Sequence, residues 1–171
     1  MDKLYKRIQF LANVAIVLLV GALGVLLIKS QLGGDTARSN VTEVVVGQQL
    51  ALPGVDWAKS ERTLVLALSS TCRFCTASAS FYRNLSSERQ NVRLIAVLPQ
   101  AEAEARKYLN DLNVPVDEVK QFSLPSLGVK GTPTIFLVDR AGVVVDKWRG
   151  KLPESQEREV VGRLKLEPVG D

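Results

Sequence analysis

The sequence predicts an α/β fold, and two observations carry that prediction. Short apolar runs at residues 63–68 and 92–98 are separated by a helical pattern, which favours strands buried in the middle of a sheet and covered on both faces. Further on, apolar runs at 135–138 and 143–148 flank the turn Asp139-Arg140-Ala141-Gly142 and predict an antiparallel hairpin. One core can therefore be built from strands with helices between them.

A long apolar run at residues 8–28 precedes this domain and predicts a single membrane-spanning helix. Its 21 residues would reach about 31 Å as a helix, which is close to the hydrocarbon thickness of a bilayer. A cleaved signal peptide has a shorter apolar core and a small-residue cleavage site, and residues 30–34 match such a site poorly. We therefore expect an uncleaved anchor.

Charge predicts how the anchor is oriented. Three cations lie within the first seven residues, so the positive-inside rule places the N-terminus in the cytoplasm and the C-terminal domain outside it. Residues 1–30 carry a net charge of +3, which leaves +1 for the rest of the chain. Because the folded part is nearly neutral, a nucleic-acid partner is not expected.

The same features divide the chain into four segments. Residues 1–30 form the cytoplasmic tip and transmembrane anchor, 31–43 a polar linker, 44–166 one folded domain and 167–171 a tail. Within the domain the patterns predict a strand at 44–46, helices at 101–112 and 154–164, and a short helix at 123–129. The segment 114–122 is ambiguous and could include a short strand.

The two cysteines of the chain, Cys72 and Cys75, are the strongest functional signal. Three hydroxyl residues precede them, and an apolar stripe follows at helical spacing, so Cys72 is expected to open a helix. That stripe consists of Phe74, Ala77, Phe81 and Leu85. Positions i and i+3 of a first helical turn lie within the separation of about 4.4 to 6.8 Å that a disulfide requires. Taken alone, the CxxC pair is also compatible with buried thiols or a metal site.

The predicted order β-α-β-α-β-β-α, with CxxC after the first core strand and Gly131-Thr132-Pro133-Thr134 before the third, resembles the thioredoxin fold, a central mixed sheet flanked by helices. Over residues 44–166 the chain is most similar to membrane-tethered redoxins of the TlpA and ResA type. The resemblance implies a thiol-disulfide oxidoreductase that needs no cofactor or metal. It further implies that Pro133 is cis and faces the cysteines, and that the backbone of Thr132 meets an extended substrate strand.

The resemblance also assigns roles to the cysteine pair. Cys72, at the helix N-terminus, is expected to be the nucleophile, because unpaired backbone N–H groups and the helix dipole favour its thiolate. Cys75 is expected to resolve the resulting mixed disulfide. The cation of Arg73 is expected to lower the thiol pKa. The implied partners are disulfide-containing proteins outside the cytoplasm and a membrane electron donor.

The sequence departs from these relatives beside the cysteines. The tethered redoxins usually have an aromatic residue before the first cysteine and an acid three residues after the second, whereas here Ser69-Ser70-Thr71 and Ser78 stand at those places. The strand predicted at 63–68 contains no carboxylate either. No obvious internal base serves Cys75, so reduction is the family expectation while the direction of electron flow stays open.

Three alternatives follow from the same residues. A peroxiredoxin-like peroxidase would have Pro and Thr upstream of Cys72, where this chain has Val65 and Ser69. A Cu(I)-handling protein could use the two thiolates, although the chain has no histidine. A thioredoxin-fold binding module would hold a partner at Pro133 without redox turnover.

Overall fold

The computed structural model describes residues 42–165, so the predicted anchor, nearly all of the linker and the tail lie outside the described residues. In the described part of the chain, no helix combines the length and the apolar character needed to cross a bilayer. A short 3-10 turn, Trp57–Lys59, leads into the regular elements. These elements are β1 Arg62–Ala67, α1 Arg73–Ala77, α2 Ala79–Glu88, β2 Arg93–Leu98, α3 Glu102–Asp111, β3 Glu118–Gln121, β4 Thr134–Asp139, β5 Val144–Arg149 and α4 Glu154–Lys165.

The five strands form one mixed sheet in the order β3-β2-β1-β4-β5. The central strand β1 pairs in parallel with β2 and antiparallel with β4, so that Val65 lies between Ile95 and Phe136. The strand β3 pairs in parallel with β2, and β5 pairs antiparallel with β4. The predicted mixed sheet and hairpin are confirmed, and the ambiguous segment supplies the edge strand β3.

Alternate residues of the strands feed two separate cores, as the pleat of a strand requires. Leu64 and Leu66 of β1 face a core that includes residues from all four helices. Val65 and Ala67 face a second core, which two irregular segments complete, one before β1 and one between β3 and β4. Those segments contribute Leu50, Leu52, Leu124, Leu127 and Val129. Both faces of β1 are covered, which explains why its residues are apolar at consecutive positions and not only at alternate ones.

The helix that follows the cysteines differs from its prediction, because Ser78 separates α1 from α2. The Ser78 hydroxyl donates to the carbonyl oxygen of Phe74 at 2.9 Å, a back-bond of the kind that bends helices. Phe74 and Ala77 are exposed, so the predicted apolar stripe is wrong at its first two positions. The buried side begins instead at Cys75 and continues through Ser78.

Two further predictions are wrong. Residues 44–46 form no strand; the chain turns there, and Gly47 and Gln48 bond to Val144 of β5 instead. Residues 123–129 form successive turns rather than a helix, closed by a bond from Val129 N–H to the Leu124 carbonyl at 2.9 Å. Gly128, with φ of +74°, ends the helical turn before a second one can form.

The turn between β4 and β5 packs against the 3-10 turn. Gly142 adopts a φ of +83°, and a Cβ atom built there would lie 2.7 Å from Cδ1 of the Trp57 ring. Asp139 Oδ1 accepts hydrogen bonds from Ala141 and Val143 N–H at 2.9 and 2.8 Å, which closes the turn. This hairpin therefore requires glycine both for its backbone angle and for space.

We predict that Gly142→Ala lowers the free energy of unfolding by about 1 to 3 kcal/mol, since it adds a strained backbone and overpacks the Trp57 ring. The matched control is Gly162→Ala in α4, where a Cβ would meet nothing within 4 Å. That control is expected to be neutral or to stabilise by up to about 1 kcal/mol. Urea unfolding measures both, and equal effects of the two substitutions would contradict the prediction.

Candidate active site

The two cysteines lie where β1 ends and α1 begins. Cys72 is the N-cap of α1, with extended backbone angles, and its Sγ accepts a hydrogen bond from Cys75 N–H at 3.3 Å. Both are free thiols; Cys72 is half-buried and Cys75 is fully buried. The helix start predicted at Cys72 is confirmed, and it leaves one sulfur accessible and the other enclosed.

A loop sixty residues further along the chain lies against Cys72. The Cys72 thiol donates to the carbonyl oxygen of Thr132 at 3.3 Å, and the Thr132-Pro133 peptide bond is cis. The loop is held by Thr134, whose hydroxyl donates to the Gly131 carbonyl at 2.7 Å. Pairing of Ala67 with Thr134 in the sheet brings the two segments together. Four of the predicted site residues thus meet in one place.

The environment of Cys72 favours its thiolate. Partial burial opposes ionisation, but hydrogen bonds from the Cys75 thiol, the Thr132 hydroxyl and backbone N–H groups at the start of α1 outweigh it. Their net effect is a Cys72 pKa below the ordinary thiol value. Backbone N–H groups at a helix N-terminus stabilise negative charge because they have no carbonyl partner within the helix.

The environment of Cys75 has the opposite effect. Burial raises the pKa of the Cys75 thiol to about 12, and the adjacent Cys72 sulfur adds to the rise. At neutral pH Cys75 is therefore a protonated thiol. The thiolate is the reactive form of a cysteine, so Cys72 is the better nucleophile of the two.

Arg73, the predicted modulator of the thiol pKa, is exposed and directs its guanidinium over the Phe74 ring, 4.6 Å from the ring centroid. The groups that lower the Cys72 pKa are hydrogen-bond donors around its sulfur. The contribution of Arg73 to thiol acidity stays a prediction. Phe74 itself is 45% exposed, so it presents an apolar face beside Cys72.

Hydroxyl groups occupy the places where relatives have an aromatic residue and an acid. Ser69 accepts a hydrogen bond from the Gln100 amide at 3.2 Å, and Ser70 donates to Glu104 of α3 at 3.1 Å. These bonds attach the loop before Cys72 to the start of α3. Ser78 is buried and bonded to backbone, so it cannot act as a base toward Cys75.

Two phenols near the cysteines were missed by the sequence analysis. Tyr82 of α2 is buried in the same core as Cys75, and Tyr108 of α3 packs against that core. The charge of Cys75 contributes to raising the pKa of both phenols, after burial as the larger cause. Tyr82 follows Cys75 by seven residues, two helical turns, and that spacing was the available signal.

The described residues around the cysteine pair can be compared with the ligand sets that metal ions require. Among residues 42–165, no three or more histidine, cysteine, aspartate or glutamate side chains gather around a common point. The cysteine pair could offer two sulfur ligands, and the described residues around it add hydroxyls and backbone groups rather than a third strong ligand.

Comparison with known proteins agrees with the fold. Residues 57–165 match the family described as thioredoxin-like domain. The chain is 30% identical over 157 residues to the thiol:disulfide interchange protein DsbE of Vibrio cholerae. The aligned residues cover 81% of this chain and 83% of that protein.

Solved structures share the fold. A Chlorobium tepidum protein assigned as a thiol:disulfide interchange protein DsbE superposes with a TM-score of 0.55 at 24% identity, covering 71% of this chain and 99% of that one. The thioredoxin domain of a thiol-disulfide oxidoreductase from Bacteroides vulgatus superposes with a TM-score of 0.53 at 17% identity, covering 72% of this chain and 100% of that one. The chain therefore belongs to the thioredoxin-like family and is a thiol-disulfide oxidoreductase of the DsbE-type thiol:disulfide interchange group.

Proposed function

We propose that this chain is a membrane-anchored oxidoreductase that reduces disulfides of partner proteins outside the cytoplasm through a Cys72/Cys75 dithiol-disulfide cycle. The observation that carries the proposal is the asymmetry of the pair. Cys72 is accessible with a lowered pKa, whereas Cys75 is enclosed with a pKa of about 12. Cys72 is therefore suited to attack a partner disulfide, and Cys75 to attack Cys72.

In the first step the Cys72 thiolate attacks one sulfur of a partner disulfide. A bond forms between Cys72 and that sulfur, the partner's S–S bond breaks, and the second partner sulfur leaves as a thiolate. The backbone next to the cis peptide of Thr132 and Pro133 lies against Cys72 and would align an extended partner segment there. The product is a mixed disulfide between the two proteins.

In the second step Cys75 loses its proton and attacks Cys72 Sγ. The Cys72–Cys75 bond forms, the bond between Cys72 and the partner breaks, and the partner sulfur takes the electron pair. Two electrons have then passed from the dithiol to the partner. A membrane electron donor would return the pair to the dithiol form.

The membrane location rests on the sequence. The apolar run at 8–28 and the cations before it support a single-pass anchor with the N-terminus in the cytoplasm and the catalytic domain in the periplasm or cell envelope. Disulfide substrates persist in such a compartment. The reductive direction is supported by the resemblance to tethered redoxins, and Arg73 is proposed to favour the Cys72 thiolate.

We predict that iodoacetamide alkylates Cys72 at least about tenfold faster than Cys75 at neutral pH, because only thiolate reacts and only Cys72 has a lowered pKa. The rate of alkylation rises with pH as the thiolate forms. The pH at the midpoint of this rise should be lower for Cys72 in the folded chain than in the unfolded chain. Peptide mass spectrometry of the full chain in detergent measures both sites. In urea the two cysteines should react alike; preferential alkylation of Cys75 in the folded chain would contradict the assignment.

The experiment that tests the proposed function is mixed-disulfide trapping. In the full chain, Cys75→Ser removes the resolving sulfur, so partner proteins should accumulate on Cys72 in membranes and be released by reductant. Cys72→Ser is the matched control and should capture none.

Parallel assays separate the alternatives. The wild-type chain should reduce insulin disulfides, consume little hydrogen peroxide and show no requirement for Cu(I). Failure of Cys75→Ser to trap any partner, together with peroxide consumption or tight Cu(I) binding by the wild-type chain, would overturn the reductase assignment in favour of a peroxidase or a copper-handling protein.

A further inference from the structure

A surface beside the loop that contacts Cys72 carries an excess of positive charge. Lys130, Lys147 and Arg149 all form ion pairs with the carboxylate of Glu43, and we call these four residues the basic patch. Three cations and one anion give the patch a net charge of +2. The hydrogen bond from Lys147 lowers the pKa of Glu43, so the carboxylate is ionised at neutral pH and this charge balance holds there.

The three cations do not share the carboxylate equally. Lys147 is 14% exposed and donates a hydrogen bond to Glu43. Lys130 and Arg149 are 52% and 56% exposed, and their nitrogens lie 3.7 and 3.6 Å from the Glu43 oxygens, beyond hydrogen-bond distance. An ammonium has three N–H donors and a guanidinium has five, so the shared carboxylate does not saturate them. These two outer cations can therefore bind a second anion.

Lys130 belongs to the loop that contacts the proposed nucleophile. It precedes Thr132 by two residues, and the Thr132 carbonyl accepts a hydrogen bond from the Cys72 thiol at 3.3 Å. Two residues of extended chain span at most about 7 Å, so the backbone of Lys130 lies within that distance of the backbone of Thr132. An anion bound by Lys130 is therefore held close to the reacting sulfur.

Arg149 reaches the same loop from the neighbouring strand. It is the register partner of Thr134 in the pairing of β4 with β5. The next residue, Gly150, donates its N–H to the Pro133 carbonyl at 2.7 Å. A Cβ atom built at Gly131 or Gly150 would meet nothing within 4 Å, so the surface beside both outer cations is open to a partner backbone.

We propose that Lys130 and Arg149 bind an acidic side chain of the partner protein, two to four residues from the cysteine that Cys72 attacks. The chain therefore prefers disulfides that lie in acidic segments. An extended segment rises about 3.4 Å per residue, so such a side chain lies about 7 to 14 Å along the partner from the attacked cysteine, which brings it to the outer cations. Opposite charges beside a contact increase the rate of association and select the partner.

This inference rests on the proposed Cys72/Cys75 cycle and leaves its chemistry unchanged. Cys72 bonds to one partner sulfur, and the other partner sulfur leaves as a thiolate. Cys75 then loses its proton to solvent, bonds to Cys72 and releases the first partner sulfur with the electron pair. The two outer cations hold the partner and exchange neither electrons nor protons with it, so their contribution is to the encounter with Cys72.

The test compares three peptides, each a symmetric disulfide-linked dimer, as substrates of the reduced full chain in detergent. The peptides differ only at the second and third positions on both sides of the cysteine, which are aspartate, serine or lysine. Each rate is divided by the rate with dithiothreitol, because flanking charges alter the reactivity of the peptide disulfide itself. We expect the aspartate peptide to react about fivefold faster than the serine peptide, and the lysine peptide to react more slowly than both. Salt at about 0.5 M should reduce these differences, since the outer cations are exposed.

Charge variants test the basic patch in both directions. Lys130→Glu and Arg149→Glu should each lower the ratio of the aspartate rate to the serine rate at least about threefold, with the serine rate near wild type. Glu43→Gln removes the negative charge but keeps an oxygen that can accept from Lys147, so it should raise that ratio about twofold. The matched control is Arg140→Glu, which reverses a 60% exposed cation at the opposite end of β4 and should leave the ratio unchanged.

Equal normalised rates for the three peptides in the wild-type chain would overturn this inference alone, as would an effect of Arg140→Glu as large as that of Lys130→Glu. If urea unfolding shows that a charge reversal does not fold, an unchanged ratio in Glu43→Gln would overturn the inference instead. Slowing of all three peptides by phosphatidylserine vesicles, with no preference among the peptides, would overturn it in favour of a lipid surface. A wild-type chain that reduces none of the three peptides would overturn the Cys72/Cys75 cycle and this inference with it.

Discussion

The hydrogen bond from Cys75 N–H to Cys72 Sγ is the interaction on which the site depends. It caps α1 with a sulfur atom and places that sulfur beside the backbone N–H groups of the first helical turn. The same turn carries Cys75 inward, where burial keeps it protonated. One helix start therefore produces an accessible nucleophile and an enclosed second thiol from identical side chains.

The sheet brings the other half of the site to this helix start. Antiparallel pairing of β1 with β4 places the loop before β4 next to the loop after β1, so Thr132 reaches Cys72 although sixty residues separate them. Both faces of β1 are covered by core residues, so the loop that carries Cys72 begins at a buried strand. Loop residues positioned by a rigid scaffold are the usual location of binding and catalytic groups.

Much of this could be predicted from the sequence, because apolar strands and a hairpin give strong periodic signals. The strands, the hairpin and the helix start at Cys72 follow from such patterns, whereas the mixed sheet and the nearness of Pro133 are implied by the resemblance to tethered redoxins. The buried side of α1 and α2 could not be read correctly, since Cys75 and Ser78 also lie at helical spacing and are buried in place of Phe74 and Ala77. Phe74 is 45% exposed and Cys75 is buried, a choice that tertiary packing makes. Likewise, residues 44–46 have strand propensity but turn at Gly47.

The site joins an accessible sulfur and an enclosed one in a single helical turn. The proposed function requires that Cys72 and Cys75 interconvert between dithiol and disulfide as a unit. Equilibration of the full chain in a series of glutathione redox buffers, with acid quenching and mass spectrometry, tests this directly. We expect one two-electron transition with loss of two hydrogens and no accumulation of glutathione adducts. A chain that stays a dithiol across the series, or that stops at a stable glutathione adduct on Cys72, would contradict it.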